Sequence, residues 1–166
     1  MTAPGSAVAE ARVLAARGER PRAIAALGSV LEADPDSVEA LLLRGRLLLE
    51  GRDRAGARRD LERAAALAPT SAEALNGLAR CLLAEGSAET ALELAERARE
   101  RLHEGDDYVQ TGPVYLTLVW CLREQRRYRE ALAVLEEGLR RCDDALLAEW
   151  ASTLEDELAE AERERC

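Results

Sequence analysis

The 166-residue chain has no Phe and no Lys, one His and one Met, and aromatic residues make up only 3% of it. Strands draw on β-branched and aromatic residues. Their scarcity, beside abundant Ala, Leu, Glu and Arg, argues for an all-helical fold. No apolar run nears the roughly 20 residues that cross a bilayer. The opening residues, Met1 to Ser6, lack the basic-then-apolar order of a signal peptide. Cys81, Cys121, Cys142 and Cys166 form no Cys-x-x-Cys pair, which leaves a zinc site little support. There is no Gly-rich phosphate loop, no metal-ligand pair on a helix face and no nucleophile elbow. His103 reads as a solvated loop residue rather than a general base. The expectation is therefore a non-enzyme with no catalytic residues, no metal and no cofactor. The charge balance adds a further exclusion: 32 acidic against 23 basic residues give a net charge of -9, a field that repels phosphate backbones. Neither nucleic acid nor a membrane is expected as a partner, and a reducing cytoplasm fits best.

What the chain does have is a period of 34 residues. Ala23, Ala57 and Ala91 fall at that spacing, as do Leu14, Leu48 and Leu82, then Ala11, Gly45 and Ala79, then Pro35 and Pro69. After six extra residues a fourth copy resumes with Leu122 and Ala131 in the same roles. Small residues at these slots let two helices approach closely, and the leucines fill the space beside them. Pro35 and Pro69 forbid continuation of the preceding helix. Asp36 with Glu39, and Thr70 with Glu73, read as capping boxes for the next one. Gly18, Gly51 and Gly86 read as the turns between paired helices. Cys81 and Cys121 occupy one slot in successive repeats and read as small buried apolar residues.

In the second copy, Leu41-x-x-Arg44-Gly45-x-x-Leu48 is followed by Ala57-x-x-x-Leu61, Ala64 and Pro69. This resembles the tetratricopeptide repeat (TPR) motif of large, large, small, large, then small, large, small, Pro. Arg44 departs from it, because an apolar residue is expected there. The third copy, Leu75-x-x-Leu78-Ala79-x-x-Leu82, and the fourth, Tyr115-x-x-Leu118-Val119-x-x-Leu122, follow it more closely. The resemblance implies a right-handed α-α superhelix of about four helix pairs, over 4–37, 38–71, 72–105 and 112–143, within one domain spanning 1–166. Residues 103–112 read as a lengthened loop before the fourth pair. A final helix over about 144–163, N-capped by Asp143 or Asp144, carries Leu146, Trp150, Leu154 and Leu158 every four residues, with Leu147, Ala151 and Ala161 alongside. It reads as the cap that an open-ended array requires.

In this family the first helices line a concave groove that holds extended peptides or loops. The position after the small slot carries Arg12, Arg46 and Arg80, then Trp120. Guanidinium groups bind carboxylates in bidentate fashion, so this column implies a protein or peptide partner with an acidic segment or a C-terminal carboxylate. Glu39, Glu50 and Glu73 lie close enough in the register to neutralise the same arginines. Asn76 could hydrogen-bond a peptide backbone, and Leu42, Leu43, Leu49 and Leu83 add apolar surface to that face. The family's carboxylate clamp uses Lys, Asn and Arg at positions that here carry Val8, Arg12, Leu43, Glu73 and Gly77; the clamp is not present. The function implied is a non-catalytic scaffold or adaptor. The alternative is a self-associating structural subunit, a homodimer through the C-terminal helix or an exposed terminal repeat.

Overall fold

Segments rich in Ala, Leu, Arg and Glu, mostly broken by Gly, Pro or Ser, form helices separated by three or four residues wherever a whole turn is described. The computed structural model describes residues 4–102, 108–142 and 145–164. Among them are nine helices and no strand: α1 (Pro4–Ala16), α2 (Arg20–Ala33), α3 (Val38–Glu50), α4 (Arg54–Leu67), α5 (Ala72–Ala84), α6 (Ala88–Glu100), α7 (Tyr108–Glu124), α8 (Tyr128–Arg141) and α9 (Ala145–Arg163). Each helix packs on its sequence neighbours. Beyond these, α1 touches α3, α3 touches α5, α5 touches α7 and α7 touches α9, while no two even-numbered helices meet among the described residues. A stack in which one layer closes up and the other splays is curved, and α1, α3, α5 and α7 form its inner face. This is an all-α repeat solenoid, in which each pair buries its apolar face on the next.

The small slots are the points of closest approach. Ala11, Ala23, Ala57, Ala79, Ala91 and Ala131 have no exposed surface. A Cβ at Gly45 would lie 2.7 Å from Leu61 Cγ, so only glycine lets α3 and α4 meet there. The core falls into two clusters that meet on α5. Ala74 and Cys81 pack with the N-terminal half, while Leu75, Ala79 and Leu82 pack with the C-terminal half. In the second repeat Leu48 is half-buried and packs on the core from the expected slot, while Leu47 is buried in the slot that Cys81 and Cys121 occupy in the later repeats. The register accommodates Arg44 through a carboxylate. Arg44 Nε and Nη2 donate to the two oxygens of buried Asp60 on α4, at 2.6 and 2.7 Å, and that bond holds the guanidinium above its ordinary pKa. Cys81 and Cys121 are free and buried, and burial pushes their thiols up to about 11 and about 12.

Several local expectations are corrected. The N-caps of α3 and α5 are Ser37 and Ser71, one residue after Asp36 and Thr70; Ser71 Oγ accepts from the Ala74 N–H at 3.2 Å. Asp36 instead accepts from Arg63 on α4 at 2.7 Å. At the turns, Gly18 (φ 77) and Gly86 (φ 88) are left-handed, but the second turn places Arg52 (φ 65) there and leaves Gly51 at φ -79. Gly18, Arg52 and Gly86 hold the 34-residue spacing, which Gly51 misses by one. Left-handed backbone costs an L-residue roughly 1–2 kcal/mol. Arg52→Gly is therefore expected to stabilise the fold by about 0.5–1 kcal/mol after the entropy of the unfolded chain is counted, and Gly86→Ala to cost about 1 kcal/mol. Urea denaturation midpoints that move the other way would contradict this.

Residues 108–112 are helical rather than loop, so α7 starts four residues before the expected boundary and has 17 residues against 13 in α3 and α5. Pro113 sits inside it and removes one ladder donor. Burial of Thr111, Val114, Tyr115 and Thr117 offsets that loss, and Thr117 Oγ donates to the Pro113 carbonyl at 2.9 Å. His103, Asp143, Asp144 and Cys166 lie outside the described residues. On α9 the inward seam is Leu147, Leu154 and Ala161, all buried, while Leu146 is 43% exposed. The helix is thus rotated from the expected Leu146–Trp150 stripe, and Trp150 sits half-buried beside the seam.

Candidate concave binding site

Two adjoining hollows open on the inner face. The first, about 270 Å³, is bounded by Arg12 of α1, Leu42, Arg46 and Leu49 of α3, and Asn76 and Arg80 of α5. Leu61 forms part of its floor, and Pro113 and Val114 of α7 close one side. The second, about 310 Å³, shares Arg12, Leu42, Arg46 and Glu73 with the first and adds Leu43 and Ser71. The structure thus brings Arg12, Arg46, Arg80, Asn76, Leu42, Leu43 and Leu49 to one concave surface. Two expected members are elsewhere. Leu83 packs against the C-terminal core. Trp120 meets Trp150 edge to face at a centroid distance of 6.2 Å, with the Arg123 guanidinium 5.6 Å from the Trp150 ring. The reason is α9: its docking on α7 and α8 offers Trp120 an aromatic partner, and the same seam carries the Arg123–Glu157 pair at 2.6 Å.

Sequence reasoning missed Leu61, Pro113 and Val114 as lining residues. Pro113 was hidden by its place at the edge of an apparent loop. The usable signal was the run Val114-Tyr115, which starts the fourth apolar pattern.

The arginine column is not uniform. Arg12 pairs with Glu39 at 2.9 Å, both side chains more than half exposed, which contributes little. Glu50 lies 3.5 Å from Arg20 rather than in contact with Arg46 or Arg80. Arg46 and Arg80 form no ion pair or side-chain hydrogen bond among the described residues. Burial pulls the Arg80 guanidinium below the usual arginine range; the more distant Glu50 acts against this and Arg46 adds to it. Four arginines are half-buried among the described residues: Arg44, Arg80, Arg99 and Arg123. Arg44, Arg99 and Arg123 contact Asp60, Glu137 and Glu157; Arg80 alone has no carboxylate. Asn76 is 7% exposed, and its buried Oδ1 has no hydrogen-bond partner. Desolvated polar groups without partners cost free energy, and here two sit side by side at one hollow.

The tetratricopeptide repeat family matches residues 8–53, 39–71 and 70–144. The chain belongs to the tetratricopeptide repeat family. A thermophilic TPR protein of Thermus thermophilus is similar in structure, with a TM-score of 0.80 at 18% identity over 92% of this chain and 81% of that one. MamA from Desulfovibrio magneticus is similar with a TM-score of 0.68 at 20% identity, over 83% of this TPR chain and 75% of its own. YrrB, described as a TPR protein with an unusual peptide-binding site, has a TM-score of 0.63 at 21% identity, over 81% and 66%. No curated protein matches the chain. These likenesses support the fold of the TPR chain. No helix among its described residues is long and apolar enough to cross a membrane.

Proposed function

We propose that this TPR chain is a non-catalytic scaffold that holds an acidic segment of a protein partner on its concave face. The observation that carries this reading is Arg80, the half-buried arginine left without a carboxylate, beside unpaired Arg46 and Asn76. A partner carboxylate would replace the water that burial removed from Arg80, in bidentate geometry. Packed helices hold these groups in place before binding, so little ordering entropy is lost. Buried free thiols fit a reducing, cytoplasmic setting. The partner is read as protein rather than nucleic acid or membrane, because the chain carries a net charge of -9. The dimer reading through the last helix has less behind it, since Leu147, Leu154 and Ala161 are already buried in cis.

Arg46→Glu with Arg80→Glu tests the proposal. Capture of a partner from source-cell extract is expected to fall by about 100-fold or more, as loss of two charge contacts implies, with the thermal midpoint unchanged or higher. Unchanged capture, or an equal loss of folding, would remove the proposal.

A further inference from the structure

We propose that the first hollow is a site for a free aliphatic α-amino acid. Its carboxylate pairs with Arg80 and Arg46, its ammonium group donates to Asn76 Oδ1 and Glu73, and its side chain lies on the apolar wall. Such a ligand is a small molecule rather than a partner segment, so its binding goes beyond the scaffold reading and needs no partner protein.

Glu73, Asn76 and Arg80 follow one another on α5 at spacings of three and four. That spacing sets them in a row along one face of the helix, with about 5–6 Å between neighbouring Cβ atoms. The row runs from a carboxylate through an amide to a guanidinium. All three line the first hollow, and Arg46 joins them from α3. Asn76 is 7% exposed and its Oδ1 has no donor, so an unsatisfied acceptor lies between charges of opposite sign. Turning the amide toward a donor in the hollow relieves that cost. A free α-amino acid carries an anion and a cationic donor on one carbon, the arrangement that this row complements. A peptide carries those two charges only at opposite ends.

Three arginines line the hollow. Glu39 already holds the Arg12 guanidinium at 2.9 Å, whereas Arg46 and Arg80 have no carboxylate among the described residues. Burial already disfavours the Arg80 charge, and a ligand carboxylate within hydrogen-bond reach acts against that. A phosphate dianion also suits several arginines, but it lies against Glu73 and brings no donor to Asn76 Oδ1. Phosphate is therefore the competing occupant. The remaining wall is Leu42, Leu49, Leu61, Pro113 and Val114, aliphatic throughout. The volume of about 270 Å³ is just below the lower bound of about 300 Å³ for ligand pockets, which suits one amino acid and nothing much larger. Ligand and partner segment would use the same two arginines, so each excludes the other.

Isothermal titration calorimetry with L-leucine, L-leucinamide, 4-methylpentanoate, N-acetyl-L-leucine and inorganic phosphate tests this. Leucine is expected to bind. Leucinamide, which lacks the carboxylate, should bind about 30-fold more weakly or worse, since a desolvated charge contact is lost. 4-Methylpentanoate has no ammonium group and N-acetyl-leucine has an amide in its place, so each should bind about tenfold more weakly. Arg80→Gln should weaken leucine by about 30-fold, with Tm unchanged or higher because the charge it removes has no partner in the protein. Glu73→Gln should weaken leucine by about fivefold yet tighten 4-methylpentanoate, since the carboxylate attracts the ammonium group and repels a bare anion. A variant that had lost its fold could not gain affinity. No binding at millimolar leucine, 4-methylpentanoate or N-acetyl-leucine as tight as leucine, phosphate tighter than leucine, or Glu73→Gln weakening leucine and 4-methylpentanoate alike overturns the inference. In any of those cases, loss of capture in the double Arg→Glu variant still supports the scaffold reading. Conversely, leucine that binds yet leaves partner capture undiminished upholds this site and removes the scaffold reading.

Discussion

Asp60→Ala is expected to destabilise the fold by about 2–3 kcal/mol, because it leaves the Arg44 guanidinium half-buried without its carboxylate. The figure sits at or below the lower end for buried pairs, since 26% of the Arg44 side chain remains exposed while Asp60 is 8% exposed. The two bonds run from α3 to α4 across the contact that Gly45 permits, so the variant loosens one helix pair without touching the others. Adding Arg44→Leu places the apolar residue of the family motif in that slot. The double variant is expected to return to within about 1 kcal/mol of the parent, as replacement of a buried pair by well-packed apolar groups often does. Urea denaturation followed by circular dichroism gives both numbers. A single-variant loss below about 0.5 kcal/mol would mean that the pair behaves as a surface contact.

Leu61→Ala is expected to cost about 3 kcal/mol, the middle of the range for truncating a buried leucine. For a chain of this size that corresponds to a Tm lower by roughly 6–12 °C. Leu61 is 2% exposed and fills the space between three helices: a Cβ at Gly45 on α3 or at Gly77 on α5 would come within 2.7 and 2.9 Å of it. Neither glycine has a side chain to move into the void, so relaxation is limited and the cavity term stays large. Because Leu61 also floors the first hollow, the same truncation deepens the site, and differential scanning calorimetry with binding measurements reads both effects. A Tm shift below about 3 °C would show that α4 collapses into the gap.

These residues also show what could be read before the structure. The small slots were legible because close helix contact demands Ala or Gly, and that demand recurs with the period of the stack. The unpaired Arg80 was not. Glu39, Glu50 and Glu73 all stood near enough in the register to neutralise the column, yet Glu39 went to Arg12 and Glu50 to Arg20. Which carboxylate an arginine reaches depends on side-chain direction and helix rotation, over distances that spacing does not resolve. Trp120 followed the same logic, drawn to Trp150 by a helix distant in sequence. Residues 108–112 were misread because Gly112 and Pro113 are turn residues locally, and burial of the neighbouring side chains overrode them. The left-handed turn residue was legible after all: the 34-residue spacing indicates Arg52, but glycine at position 51 was the stronger local cue.

The sequence by itself determined the helical class, the repeat length and the small contacts between paired helices, because each follows from short-range periodicity and from which residues let backbones meet. Only the tertiary structure decided that Arg44 would find Asp60, that Arg80 would lose its water without gaining a carboxylate, and that α7 would wall the hollow. Those outcomes depend on how far one helix turns against another as the stack curves, and a rotation of a fraction of a turn exchanges partners while the sequence pattern stays the same.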